Sequence, residues 1–193
     1  ASLARHGMAA RCSLGLPRDA DISSADPAIS AKGERLLHDV IAVSRDVGSD
    51  FVGGVIASAM TKYMEPATPA GRANAVAAFQ RLAEQASASG ITLGIEVVNR
   101  YESNLVNTAA QAVTFIKEIG APNVVVHLDT YHMNIEEVDF RQPVIDAGEH
   151  LGYVHIGENF RGYLGGRPHR LRAAVRGAAR GRLHRRGDVR ELL

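Results

Sequence analysis

The sequence has few of the features that mark redox-active, secreted or membrane proteins. It contains a single cysteine, Cys12, which can form no internal disulfide and whose apolar neighbours favour a buried, inert thiol. Its longest apolar runs are only a few residues, as at 124–126, whereas a helix needs roughly 20 apolar residues to cross a bilayer. The opening residues do not read as a signal peptide. Redox chemistry therefore has no support, and the simplest expectation is a cytoplasmic protein without membrane contact.

Charge divides the chain into two unequal parts. With 46% hydrophobic and 22% charged residues, the 193-residue chain can bury a sizeable core. Residues 1–165 carry 13 Lys and Arg against 19 Asp and Glu, whereas residues 166–193 carry nine Arg against two acidic residues and contain no aromatic residue. The sequence therefore predicts one folded domain over 1–165 and a separate Arg-rich tail over 166–193.

Strand-like and helical runs alternate through residues 7–165. Continuous apolar runs of this kind are typical of parallel sheets that are buried on both faces. Helices are expected to end at Gly48, Gly90 and Gly120, and the third begins with Thr108 and Gln111 at the spacing of a capping box. The predicted strands are 8–16, 51–56, 91–98, 124–129 and 153–156.

Five strands in about 165 residues predict an incomplete barrel. A complete (β/α)8 TIM barrel typically needs ~250 residues. Residues 1–6 have the character of a helix end, so two further βα units are expected to precede the first predicted strand. The fold class is therefore α/β, an incomplete (β/α)8 TIM barrel.

Three successive predicted strands end in a side chain that can bind a metal ion. These residues are Glu96, Asp129 and His155. Because the carboxyl ends of parallel strands converge on one face of a barrel, the three side chains are expected to share a centre. Each residue alone could instead cap its strand or pair with an arginine. Mixed oxygen and nitrogen donors suit Mn²⁺, Co²⁺, Mg²⁺ or Zn²⁺, so the three together predict a divalent metal site.

Three motifs carry a resemblance to a known family. They are G-I-E-V-V-N-R-Y-E at 94–102, H-L-D-T-Y-H-M-N-I-E-E at 127–137 and Y-V-H-I-G-E-N-F-R-G-Y-L-G at 153–165. They resemble the ketose 3-epimerases that act on D-tagatose, D-allulose or L-ribulose, a group within the xylose-isomerase-like TIM barrels. The resemblance covers residues 7–165 and implies a sugar epimerase whose parent enzyme is a homo-oligomer.

The resemblance also assigns roles to particular residues. It implies a divalent metal, most often Mn²⁺ and alternatively Co²⁺ or Mg²⁺, bound by Glu96, Asp129, His155 and a second Glu from the last strand of the family. Substrate contacts are implied at Glu102, His132 and Arg161. Removal of the C3 proton of a ketose creates an enediolate, so the metal stabilises negative charge while Glu96 and the second Glu serve as the acid–base pair.

Several residues within or near these motifs have a plainer interpretation. His132 and Arg161 could be ordinary polar surface residues. His127 is expected to be a packed structural histidine, and Glu136 and Glu137 a solvated helix start. Met60 and Met64 flank the loop after the second strand, where they could form either an apolar wall of the sugar site or part of the core.

The tail departs from the family pattern, which would continue into a strand of the form T-F-E-S-F. Its arginines could form a basic arm for nucleic acid. A frameshift near Gly165 explains more, because 188–193 written GAC GTT CGA GAG CTT CTN reads Thr-Phe-Glu-Ser-Phe one base later. The same shift converts permitted codings of 169–172 and 182–185 into Ile-Asp-Phe and Gly-Tyr-Thr. The frameshift hypothesis predicts a chain with impaired activity and no evolved nucleic-acid partner.

Two alternatives remain open at this point. An aldose–ketose or hydroxypyruvate-type isomerase would use the same fold, a metal and an enediolate. A nucleic-acid protein similar to endonuclease IV would share the barrel but needs more His, Asp and Glu ligands than the sequence offers. The leading hypothesis is metal-dependent epimerisation of a free ketose at C3.

Overall fold

A computed structural model of the chain describes residues 2–164. The predicted Arg-rich tail and the frameshift hypothesis therefore lie outside the described residues. Among residues 2–164, no helix combines the length and apolar character that crossing a membrane requires.

A five-stranded parallel sheet organises the structure. The strands are hydrogen-bonded in the order in which they occur in the sequence, and each neighbouring pair is parallel. All five strands were expected, although the first begins at Cys12 rather than residue 8 and the second extends to Ala59. Their bounds are β1 Cys12–Leu16, β2 Phe51–Ala59, β3 Thr92–Glu96, β4 Val124–Asp129 and β5 Leu151–His155.

Helices connect successive strands, as a parallel sheet requires. The predicted α/β order is thus confirmed, and the five strands with their helices form part of a (β/α)8 barrel. The α-helices are α1 Ser2–Arg5, α2 Pro27–Val47, α3 Pro69–Ala88, α4 Ala109–Ile119, α5 Thr130–Glu136 and α6 Gln142–Ala147, and short 3₁₀ turns cover Arg18–Ala20 and Gly148–His150.

The helix ends follow from local sequence chemistry. Asp26 caps α2 by accepting from the backbone N–H of Ala28, and Gly48 ends that helix in the left-handed conformation that favours glycine. Thr108 caps α4 by accepting from the N–H of Gln111, as the capping-box spacing predicted. These caps fix where α2 begins and ends and where α4 begins.

Alternation along the strands separates a helix-facing core from a barrel-facing side. On β4, Val124, Val126 and Leu128 lie in the hydrophobic core. The intervening residues of a strand point to the opposite face, so His127 and Asp129 share the barrel side. Polar side chains therefore lie on the barrel side of β4, near its carboxyl end.

Glycines on the barrel side make room for one aromatic ring. A Cβ added at Gly94 would lie 2.3 Å from Phe51 Cζ, and one added at Gly53 would lie 2.6 Å from Phe51 Cε1. The Phe51 ring in turn stacks on Tyr153 and meets the edge of His127. Phe51 and the two glycines therefore form a packed layer in the barrel interior.

We expect Gly94→Ala to destabilise the protein by about 1–3 kcal/mol, because the added methyl group forces Phe51 out of its position. Urea unfolding followed by circular dichroism measures the change in free energy of unfolding. Gly157→Ala is the matched control, since its Cβ would lie 3.7 Å from Tyr131 Cβ, an ordinary van der Waals distance. Equal stabilities of the two variants would contradict this account of the layer.

Candidate metal centre

The structure brings together the three residues that end successive strands. Glu96 is the last residue of β3, Asp129 of β4 and His155 of β5. The Nδ1 atom of His155 lies 3.3 Å from Glu96 Oε1 and 3.7 Å from Asp129 Oδ2. The predicted convergence therefore exists in the geometry, while the metal-binding roles of these residues stay predictions.

Local structure orients the Asp129 carboxylate. Asp129 is the N-cap of α5, and its Oδ1 accepts a hydrogen bond of 2.7 Å from the backbone N–H of Tyr131. The other oxygen, Oδ2, is the one near His155. A single side chain thus starts the helix and presents a free carboxylate oxygen to the centre.

The charges at the centre are interdependent. Burial by itself raises the pKa of Glu96, but the hydrogen bond with His155 and the neighbouring imidazoles outweigh it and hold this pKa below its usual value. Burial raises the pKa of Asp129, and the nearby Glu96 charge adds to this effect. The hydrogen bond to Glu96 raises the pKa of His155 against its own burial. In metal-free protein, the lowered pKa of Glu96 and the raised pKa of His155 therefore both favour an ion pair between the two side chains.

Donor atoms gather in two overlapping groups. In one, Glu96, His127 and His155 each offer a ligand atom, and these atoms lie within 4.8 Å of one another. In the other, Glu96, Asp129 and His132 do the same. Carboxylate and imidazole donors converging in a partly buried pocket suit a divalent cation, so the residues present fit the metal that the sequence predicted.

The hydrogen bonds of His132 make it a poor metal ligand. Its Nδ1 accepts from the backbone N–H of Asn99 at 3.2 Å and lies 2.7 Å from the Asn99 side-chain amide. A nitrogen that accepts these bonds carries no proton, so the ring proton is on Nε2. The protonated Nε2 is a hydrogen-bond donor, which agrees with the substrate contact implied by the resemblance.

The three residues predicted to contact substrate form a polar cluster beside the centre. Arg161 Nη2 lies 3.4 Å from Glu102 Oε1, and His132 Nε2 lies 4.0 Å from Glu102 Oε2. Among the described residues, Glu102 Oε2 is buried and has no hydrogen-bond partner. A buried acceptor without a partner is costly, so this oxygen is placed to receive a hydroxyl group.

Arg161 is positioned by its backbone and by an aromatic ring. Its φ of 54° is in the left-handed region, where residues other than glycine are uncommon. Its N–H donates to the Glu158 carbonyl at 2.9 Å, and its guanidinium carbon lies 4.0 Å from the centroid of the Tyr131 ring. Such cation–π stacking holds the guanidinium next to Glu102.

His127 is packed in the barrel interior, as the sequence predicted. It is aligned with Glu96 across the sheet, is fully buried and meets the His155 ring edge-on with centroids 4.2 Å apart. Packing was expected, but within residues 2–164 neither ring nitrogen has a hydrogen-bond partner. Burial lowers the pKa of His127 to about 3, so the ring is neutral. Alternate residues of a strand point to the same face of the sheet, so the sequence alone could have shown that residues 127 and 129 share one face.

The expectation of a solvated acidic pair at 136–137 was wrong. The Glu136 side chain is only 5% exposed and forms a two-pronged ion pair with Arg100, whose backbone N–H also donates to it at 2.7 Å. Glu137 Oε1 accepts from the N–H of Ala109 at 2.8 Å, at the start of α4. Both carboxylates therefore tie α5 to the preceding βα unit, a long-range role that has no local sequence signal.

The loop after β2 supports Glu102 through its backbone. The N–H of Thr61 donates to the Glu102 carbonyl at 2.9 Å, and the Tyr63 hydroxyl donates to Asp21 at 2.5 Å. Met60 and Met64 are 49% and 82% exposed, so neither methionine belongs to the core. The loop contributes polar anchoring rather than core packing.

Comparison with known proteins identifies the family. The family model for the xylose isomerase-like TIM barrel matches residues 1–182. The chain belongs to this family. The incomplete barrel, the parallel order of its strands and the strand-end cluster of Glu96, Asp129 and His155 are thus features of a xylose isomerase-like chain.

Several similar proteins are named as sugar epimerases. It is 54% identical to a ketose 3-epimerase of Arthrobacter globiformis over 85% of this chain and 57% of that protein. It is 50% identical to an L-ribulose 3-epimerase of Methylomonas sp. over 84% of this chain and 57% of that protein. A D-allulose 3-epimerase from Methylomonas sp., solved in complex with D-allulose, superposes with a TM-score of 0.90 at 45% identity over 93% of this chain and 62% of that one. The chain thus spans less than two thirds of these relatives.

In metal-free protein, Glu96→Gln should lower the pKa of His155 toward its usual value of ~6.5, because the charged partner is lost. The raised pKa of the wild type means that the pair adds stability below pH ~6.5, and that this stability is lost as pH rises through the folded pKa. NMR titration of histidine ring protons, assigned with His155→Gln, measures the shift. Glu118→Gln, which removes a carboxylate that pairs with Arg72, is the control and should leave His155 unchanged. An unaltered His155 titration in Glu96→Gln would contradict the arrangement.

Proposed function

We propose that the protein to which this chain belongs epimerises a free ketose at C3 through an enediolate. The observation that carries the proposal is the meeting of Glu96, Asp129 and His155 at the strand ends, directly beside the polar cluster of Glu102, His132 and Arg161. The names of the relatives supply the reaction class, since they are ketose and L-ribulose 3-epimerases.

Glu96 is the residue best suited to move the proton. Its lowered pKa keeps it ionised, so its carboxylate can accept the C3 proton, which is the role of a general base. Glu96, Asp129 and His155 would hold a divalent cation, which would supply positive charge to stabilise the enediolate. Two of the three donors are carboxylates, a set that favours Mn²⁺ over softer ions.

The polar cluster orients the sugar over Glu96. Glu102 Oε2 accepts a hydrogen bond from one hydroxyl, since this buried oxygen has no partner among the described residues. The Nε2–H of His132 donates to a second sugar oxygen, because its Nδ1 is already occupied by Asn99. Arg161 donates from the solvent side, where its guanidinium is stacked on Tyr131. Fixed contacts at three points determine which face of C3 meets Glu96.

A deuterium-exchange assay tests the proposal. The 193-residue chain, and a repaired protein translated in the shifted frame after Gly165, are incubated with Mn²⁺ and D-allulose, D-tagatose or L-ribulose in D₂O, and NMR follows deuterium at C3. We expect exchange at C3 in the repaired protein and slower exchange in the 193-residue chain. Glu96→Gln should lower the rate by roughly 10²- to 10⁴-fold, the usual contribution of a general base.

The assay also separates the isomerase alternative. Exchange at C1 with formation of an aldose, and none at C3, would replace the epimerase proposal with an aldose–ketose isomerase. Glu118→Gln serves as the control and should leave the exchange rate unchanged, because the Glu118 carboxylate pairs with Arg72 and not with a residue of the proposed site.

The frameshift hypothesis remains part of the proposal and has a test of its own. We infer that the second acid–base carboxylate belongs to the Thr-Phe-Glu-Ser-Phe strand encoded one base away from 188–193. Sequencing the encoding DNA around Gly165 should show codons that read Ile-Asp-Phe, Gly-Tyr-Thr and Thr-Phe-Glu-Ser-Phe in one shifted frame. Codons that do not spell these words in that frame would refute the hypothesis.

A further inference from the structure

The barrel interior holds an imidazole that the proposed reaction does not use. His127 is aligned with Glu96 across the sheet and is fully buried, and within residues 2–164 neither of its nitrogens has a hydrogen-bond partner. A buried polar group without a partner is destabilising, and native proteins rarely leave one so. Next to Glu96, the two nitrogens of His127 therefore lack a partner within residues 2–164.

Packing alone does not account for this side chain. Its neighbours in the layer are the rings of Phe51, Tyr153 and His155, with centroids 6.2, 4.9 and 4.2 Å away. An apolar ring would fit among them without burying two nitrogens. What distinguishes His127 is that one of its nitrogens lies within 4.8 Å of donor atoms of Glu96 and His155.

We propose that the pocket has a second, nitrogen-rich metal-binding mode, in which Glu96, His127 and His155 bind Zn²⁺. Two imidazoles and one carboxylate are a set that Zn²⁺ accepts readily, whereas Mn²⁺ prefers oxygen donors. The mode rests on the same pocket as the proposed function but replaces Asp129 with His127. Since both modes use Glu96 and His155, Zn²⁺ and Mn²⁺ exclude each other.

His127 is free to act as this ligand, and His132 is not. Nothing among the described residues donates to either nitrogen of His127, so either tautomer is available to it. His132 accepts from Asn99 at Nδ1 and keeps its proton on Nε2, the nitrogen that would have to bind the metal. Of the two further histidines near Glu96, His127 is therefore the one that is able to bind the metal.

Competition between the metals tests the second mode. Mn²⁺ binding is followed by electron paramagnetic resonance of free Mn²⁺, and Zn²⁺ affinity is measured from its displacement of Mn²⁺ and by calorimetry. His127→Leu should weaken Zn²⁺ binding at least ~10-fold and change Mn²⁺ binding less than ~2-fold, because only the nitrogen-rich set loses a ligand. Asp129→Asn should do the reverse.

The controls make each result decisive. His6→Leu is the matched substitution at an exposed histidine and should alter neither affinity. Equal Zn²⁺ affinity in His127→Leu and wild type would overturn the proposal. If His127→Leu fails to fold, X-ray absorption of the wild type with one equivalent of Zn²⁺ decides, since two imidazoles per zinc support the mode and one refutes it. These readouts do not depend on epimerase activity, so a failed C3-exchange assay leaves them interpretable.

Discussion

Two carboxylates that end neighbouring strands require a positive charge between them, and the rest of the site depends on this constraint. Glu96 and Asp129 have side chains only 10% and 16% exposed, so water cannot screen their repulsion well. His155 lies within 4 Å of both, and its protonated form supplies that charge in metal-free protein. A divalent cation satisfies the same need more strongly, which is why the arrangement suits metal-assisted chemistry.

The fold creates that constraint through strand register. Asp129 is aligned with His155, and Glu96 is aligned with His127, so the strand ends meet in two adjacent rows. Glycines beneath these rows leave room for Phe51, and the packed layer limits the movement of the imidazoles above it. The polar cluster around Glu102 then borders the centre on the solvent side. The proposed metal centre and the polar cluster therefore lie on one face of the sheet.

Sequence reasoning succeeded where function depends on position along a strand or helix. Strand ends at Glu96, Asp129 and His155 and the cap at Thr108 are local signals, so the sheet, its order and the convergence could be predicted. Long-range contacts leave no such signal. The ion pair between Glu136 and Arg100 joins residues 36 apart in sequence, and its geometry needs the folded sheet. The free nitrogens of His127 are likewise visible only once every neighbour is placed.

The central claim is that the carboxyl ends of three strands form one divalent metal site. Anomalous diffraction at the manganese edge, from crystals of this chain grown with Mn²⁺, tests it most directly. The account predicts a single strong peak in the pocket bounded by Glu96, Asp129 and His155. A peak elsewhere, or none at the strand ends with Mn²⁺ in excess, would contradict it.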